Sequence, residues 1–267
     1  MGLVKEKTLK QENTRALRLN LILLRFTKHW LIVALTILGI YVALPFVAPT
    51  LMKLGLEGPA RAIYFVYGPF CHQFAFRSFF LYGEQVVYPR YNTPSNLTPF
   101  ETYVQNLPEF APDRLVNVAG RMMPVGNLKE FTPGFQFAAR EFVGNEQMGY
   151  KVTLCERDIT IYSAMFVGGL IYSRPAIRRR LRPAPIWLYV ILGLAPIAID
   201  GFSQLLGYPP FNMWPPRETL PLFRVLTGLL FGLMNVWLGF PYLELSMRDT
   251  RRDIQAKLAR RRGYVNR

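Results

Sequence analysis

The sequence predicts an all-α membrane protein: four transmembrane helices, a re-entrant or interfacial outer helix and a small mixed outer insert. Three observations lead there. Residues 30–52, 159–176, 185–207 and 219–245 are apolar over lengths near the roughly 20 residues with which a helix crosses a bilayer. The net charge of +15 is carried by the segments that flank alternate apolar stretches. A long segment, 53–158, separates the first two stretches and is charge-balanced, with ten Lys/Arg against ten Asp/Glu.

Residues 1–29 form a basic amphipathic segment. Leu17, Leu21 and Leu24 fall on one helical face and Arg15, Arg18 and Arg25 on another, the pattern of a helix lying on a membrane surface. The 30–52 stretch is of full spanning length and follows a long polar lead, so it reads as a signal anchor and not a cleavable signal peptide. In 53–158, an aromatic run is broken by Gly68 and Pro69 and is too short to span. It predicts an interfacial or re-entrant helix over about 60–82. Residues 86–150 read as a small subdomain with Pro-punctuated segments, Pro94-Ser95-Asn96 and Thr132-Pro133-Gly134, and strand-like runs at 115–118 and 150–154. A loop this long is commonly functional, here as a cap over an outer site or a docking surface.

The stretch at 159–172 is short for a span unless 173–176 extend it. The segment after it, 173–184, has five Arg and no acid. The 207–218 loop has one charge of each sign, and the tail 246–267 has eight Lys/Arg against two acids. Basic flanks favour the cytoplasmic side, which predicts a multi-pass protein of a prokaryotic cytoplasmic (inner) membrane with both termini inside. Segments 53–158 and 207–218 then face outward. A charge of +15 often signals nucleic acid. Here the excess sits beside apolar helices, so the expected partners are membrane lipids, including anionic lipid at the cytoplasmic face, and no nucleic acid.

The chain has two cysteines and two histidines. His29 and His72 lie a membrane thickness apart and cannot share one metal or haem, and no Cys-x-x-Cys-His motif is present. Metal or redox chemistry is therefore restricted to Cys71, His72 and Cys155, all on the outer side, with Asp158 one helical turn after Cys155. Asp200 and Arg224 are charges inside apolar stretches at matching depth, and such groups pair or line polar cavities. They are expected to face each other or a common outward pocket. With Arg157 and Gln204 they are the catalytic candidates; the alternative is an ion pair that only holds the bundle together. Gly228 and Gly232 match the Gly-x-x-x-Gly spacing of close helix approach.

The series Cys71-His72-Gln73, Arg77-Ser78-Phe79-Phe80, Cys155-x-Arg157-Asp158, Asp200-Gly201-x-x-Gln204 and Arg224-x-x-Thr227-Gly228 resembles an uncharacterised prokaryotic polytopic membrane protein family, a domain of unknown function. The resemblance covers 66–85 and 150–235. It implies that Cys71, His72, Cys155, Arg157, Asp158, Asp200 and Arg224 share one site, and it implies no reaction. Members of that family join the two cysteine elements by a short link, so the resemblance implies that 86–150 is an insertion.

Three readings stay open. Cys71, His72, Cys155 and Asp158 suit a tetrahedral metal, zinc first, as thiolate, imidazole and carboxylate donors. If one of the four is not a ligand, an open position supports metal-assisted hydrolysis. Alternatively, Cys71 and Cys155 form a disulfide in an oxidising compartment, inert or in exchange with a thiol or quinone. In the third reading the chain is an accessory subunit of a membrane complex, with the insert and tails as contacts to other subunits. No phosphate-cradling loop, Gly-x-Ser-x-Gly elbow or His-Glu-x-x-His helix is present.

Overall fold

The computed structural model describes residues 2–208 and 211–265, with side chains described for 15–208 and 211–260. Helices dominate. α1 (Gly2–Lys53) is followed by α2 (Glu57–Tyr67), and β1 (Ser78–Leu81) leads into the insert. The insert holds α3 (Phe100–Val104), the hairpin β2 (Leu115–Val118) and β3 (Arg121–Pro124), α4 (Pro133–Glu141), and β4 (Gly144–Asn145). β5 (Gly149–Cys155) runs directly into α5 (Glu156–Tyr172). Then come α6 (Pro175–Arg180), α7 (Ile186–Leu205) and α8 (Pro221–Val265).

Three of these helices are long and apolar enough to cross a membrane: Arg15–Lys53, Ile186–Leu205 and Pro221–Arg260. α5 has 17 residues, about 26 Å at 1.5 Å per residue, and falls short by length. The basic segments expected to be separate surface helices continue α1 and α8 without a break. The N-terminal face built on Leu17, Leu21, Leu24 and the three arginines thus extends the first apolar helix.

Two expected boundaries need correction. The interfacial helix expected over about 60–82 ends at Tyr67; Gly68 and Pro69 turn the chain and Ser78–Leu81 becomes a strand. The second apolar stretch, expected to run to 176, starts at Glu156 and stops at Tyr172. Pro175 opens the next helix and holds Arg174 in an extended conformation, as a residue before proline prefers. The chain is also not all-α. β1-β5-β4 form one antiparallel sheet and β2-β3 another. The strand-like run 115–118 is β2, and 150–154 lies within β5.

Prolines inside the long helices release carbonyls that other elements take up. Pro45 has no N–H for the Tyr41 carbonyl, and the Tyr67 hydroxyl of α2 donates to it at 2.8 Å. Pro241 leaves the Trp237 carbonyl free, and the Ala184 N–H donates there at 3.3 Å. In α7 a π-helical turn over Tyr189–Leu194 precedes Pro196, whose ring would press on the Leu192 carbonyl of a regular helix. In an apolar surround a backbone carbonyl must find such a partner. Tyr67→Phe is therefore expected to cost about 1–3 kcal/mol, the price of one buried unsatisfied acceptor, read as a lowered thermal midpoint of the purified protein.

α5 packs on α1 and α8. Tyr162 meets Tyr41 at 4.7 Å between ring centroids, and Tyr172 and Trp30 both meet Phe240 edge-on. A Cβ on Gly232 would stand 2.4 Å from the Ile161 carbonyl oxygen, and one on Gly228 2.8 Å from that of Arg157. The Gly-x-x-x-Gly pair lets α8 lie directly on the α5 backbone. At the Trp30 end, Glu244 accepts hydrogen bonds from Trp30 Nε1 (2.9 Å), Arg178 Nε (3.0 Å) and Arg248 Nε (2.8 Å), which ties α1, α6 and α8 together.

The insert has its own aromatic core. Phe76 stacks between Phe74 and Phe135, and Phe100 and Phe110 pack edge-on beside them. Buried Arg90 pairs with Glu101 at 2.8 Å and lies over the Phe135 ring. Thr132-Pro133-Gly134, one of the Pro-punctuated segments, starts α4: Thr132 Oγ1 accepts the Phe135 N–H at 3.1 Å, and Pro133 occupies the first turn, where its missing N–H costs nothing. Gly134 is required there, since a Cβ would stand 1.9 Å from the Pro124 carbonyl oxygen.

Candidate metal centre

Cys155 is placed by two constraints. It closes β5, where it pairs with Ser78 of β1, and it is the N-cap of α5. Cys71 approaches from the loop after α2. Gln73, at φ 56°, turns that loop in the left-handed region. Its backbone N–H points back to Cys71 Sγ at 3.5 Å, its side chain donates to the Tyr64 carbonyl at 2.9 Å, and Cys155 N–H reaches Cys71 Sγ at 3.3 Å. Backbone donors directed at a sulfur favour its thiolate. The hydrogen bond between the sulfurs pulls the Cys71 thiol down from its ordinary value; the same bond, with burial, pushes the Cys155 thiol well up.

Asp158, in the first turn of α5, completes the group. One ligand atom each from Cys71, Cys155 and Asp158 lies within 4.8 Å of the others. His72 is not in this group. It is exposed, with its ring beside Phe74 at 5.4 Å, while the adjacent Cys71 is buried. Adjacent side chains of a non-helical segment diverge, so Cys71 and His72 do not turn to one point.

Asp200 does not pair with Arg224, and of the two arrangements expected from depth neither the direct pair nor a single shared hollow is found: Arg224 borders one hollow and Asp200 its neighbour. Asp200 is bound by Arg157 and Thr219, and Gln204 donates to Thr219. Arg224 pairs with Glu218 and, at 3.5 Å, with Glu156. Arg77 grips the same Glu218 through Nε at 3.1 Å, and the Tyr208 hydroxyl donates to it. Against burial, which pushes it up, Arg77 and Arg224 pull the Glu218 carboxyl down to about 2. Glu156 and Glu218 were missed in the sequence. The available signal was their position in the chain, beside Arg157 and six residues before Arg224.

These groups line one cleft of about 680 Å³ between the insert and the helices. Cys71, His72, Cys155, Arg157, Asp158, Gln204 and Arg224 all border it. Asp200 lies behind Arg157 and borders a neighbouring hollow of about 440 Å³. The Phe131–Tyr208 ring stack, at 4.0 Å, joins the insert to the end of α7 over the cleft. Lys151 anchors the other side. Its buried ammonium donates to the carbonyls of Gln73 (2.8 Å), Arg140 (2.5 Å) and Ala139 (3.5 Å), and burial lowers its pKa to about 7.

Residues 142–238 match the family model described as "Predicted membrane protein (DUF2085)". Over this segment the chain is similar to a family of membrane proteins of unknown function. The DUF2085 segment contains Cys155, Arg157, Asp158, Asp200 and Arg224; Cys71 and His72 lie before it. An uncharacterised protein of Methanocaldococcus jannaschii is 33% identical over 95 residues, 35% of this chain and 54% of that protein. The chain thus spans about half the length of this curated relative. No solved structure matches.

The charge balance of the cleft bears on what it can hold. Arg77, Arg157 and Arg224 are taken up by Glu218, Asp200 and Glu156. Asp158 forms no ion pair among the described residues. Two sulfurs and this carboxylate remain as a net-negative set of donors, and a divalent cation would neutralise it. Soft thiolates with one carboxylate suit zinc better than magnesium or calcium.

Proposed function

We propose that this DUF2085 membrane protein carries a zinc-type metal centre on Cys71, Cys155 and Asp158 at the outer membrane surface. The observation that supports it most is the convergence of these three donors, with no arginine paired to Asp158 among the described residues. Three protein ligands would leave a fourth position for water or a ligand, as in catalytic zinc sites. His72, at the rim, is placed to act on whatever enters. A bound metal there would polarise a ligand or activate water. Arg157, Asp200, Gln204 and Arg224 would set the polar wall of the cleft.

The reading includes four spans. α5 runs beside α1, with Tyr162 against Tyr41 and Tyr172 at the Trp30 end, and the preceding β5 continues alongside α1, where Tyr150 packs with Ala48 and Met52, so helix and strand together cover the depth. The arginines of α6 and of the α8 tail then lie in the cytoplasm of a prokaryotic cell, with the insert and cleft outside. An accessory role in a larger membrane complex is compatible with the centre, and the insert would be the contact surface.

Elemental analysis of the purified chain, with thiol alkylation before and after reduction, tests the reading. About one zinc per chain, with both thiols protected until the metal is chelated, is the expected result. Thiols released only by reductant would instead establish a disulfide; metal-free thiols that alkylate at once would leave the accessory-subunit reading.

A further inference from the structure

At the opposite end of the bundle from the cleft, a groove of about 650 Å³ runs along one side of the α1–α5 seam. Its α1 wall is the stripe Leu31, Leu35, Gly39 with Ile32, Thr36 and Ile40 beside it, one continuous helical face. Phe166 and Leu170 form the α5 wall, and the Phe166 ring lies against Gly39, where a Cβ would stand 3.0 Å from it. Apart from Thr36 the wall is apolar until one end, where Lys28, His29, Ser173 and Arg178 line it. Arg178 is held by Glu244, whereas Lys28 forms no ion pair among the described residues.

We infer that this groove is a binding site for one anionic glycerophospholipid, its acyl chain along α1 and its phosphate at Lys28. Two features favour this occupant. The apolar stripe from Lys28 to Ile40 rises about 18 Å, close to the roughly 15 Å of one leaflet's hydrocarbon. Among the described residues the charged groups lining the mouth, Lys28 and Arg178, are basic, and a basic residue near the surface favours anionic lipid. The groove thus adds a shaped, stoichiometric site to the diffuse attraction of the basic tails. The inference rests on α1 and α5 being spans.

Native mass spectrometry of the full-length chain in detergent, titrated with phosphatidylglycerol or phosphatidylcholine, tests it. One phosphatidylglycerol is expected to stay bound under activation that strips phosphatidylcholine. Lys28→Gln should weaken that retention about fivefold, the factor for one basic residue. Thr36→Trp, which fills the exposed side of the groove, should abolish retention of both lipids. Equal retention of the two lipids, or adducts unchanged by both variants, would overturn the site. Resistance of the reconstituted chain to alkaline extraction reads the spans separately, so loss of the lipid site and loss of the spanning reading are distinguishable.

Discussion

Glu218→Gln is expected to destabilise the protein by about 3–5 kcal/mol, the range for removing one partner of a buried charge cluster. Arg77 and Arg224 share this carboxylate, and Tyr208 donates to it. With Gln in its place the buried guanidinium of Arg224 and the half-buried one of Arg77 lose their counter-charge, and only Arg224 keeps a second acid, Glu156. The same pair predicts a pH dependence. A carboxyl held at about 2 contributes stability that is complete above its ordinary value near 4.5 and is lost as pH falls through about 2. Thermal midpoints measured from pH 6 to pH 2 should fall steeply below 4.5 in the parent and less steeply in the Glu218→Gln variant. A variant as stable as the parent at pH 7 would show that Glu218 is not the hub of the cleft.

Lys151→Met is expected to cost about 3 kcal/mol, the upper range for buried groups left unsatisfied. Three carbonyls converge on this one ammonium, two from the last turn of α4 and one from Gln73. The Gln73 carbonyl belongs to the loop that presents Cys71. The substitution should therefore loosen the insert and the metal site together: a lower midpoint, and faster alkylation of Cys71 in the folded protein. A lower midpoint with unchanged alkylation would confine Lys151 to holding the insert.

How far the sequence reaches can be argued from these same residues. Apolar length located three of the helices, because burial in lipid or protein sets that pattern directly. Alternation and β-branching located β2 and much of β5. Gly228 and Gly232 announced a close helix contact, and α5 supplies it. The partner of Asp200 was not legible. Depth along a span can be read from residue counts, but rotation about its axis cannot, and Arg157 of α5 faces Asp200 where Arg224 does not. The end of α2 was blurred by the apolar run, which continues through Gly68 and Pro69 into a strand. The separation of His72 from its neighbouring cysteine was hidden for a related reason: the string Cys71-His72 gives proximity in the chain, and the turn at Gln73 decides direction.

Cobalt substitution tests the metal centre most directly. The purified chain, stripped and reloaded with Co²⁺, is predicted to show a near-ultraviolet thiolate-to-cobalt band that Cys71→Ser and Cys155→Ser each weaken and the double variant removes. Asp158→Asn should shift the visible d–d bands, and His72→Ala should leave the spectrum intact. A chain that takes up no cobalt after reduction, or one whose spectrum ignores both cysteines, would contradict the account.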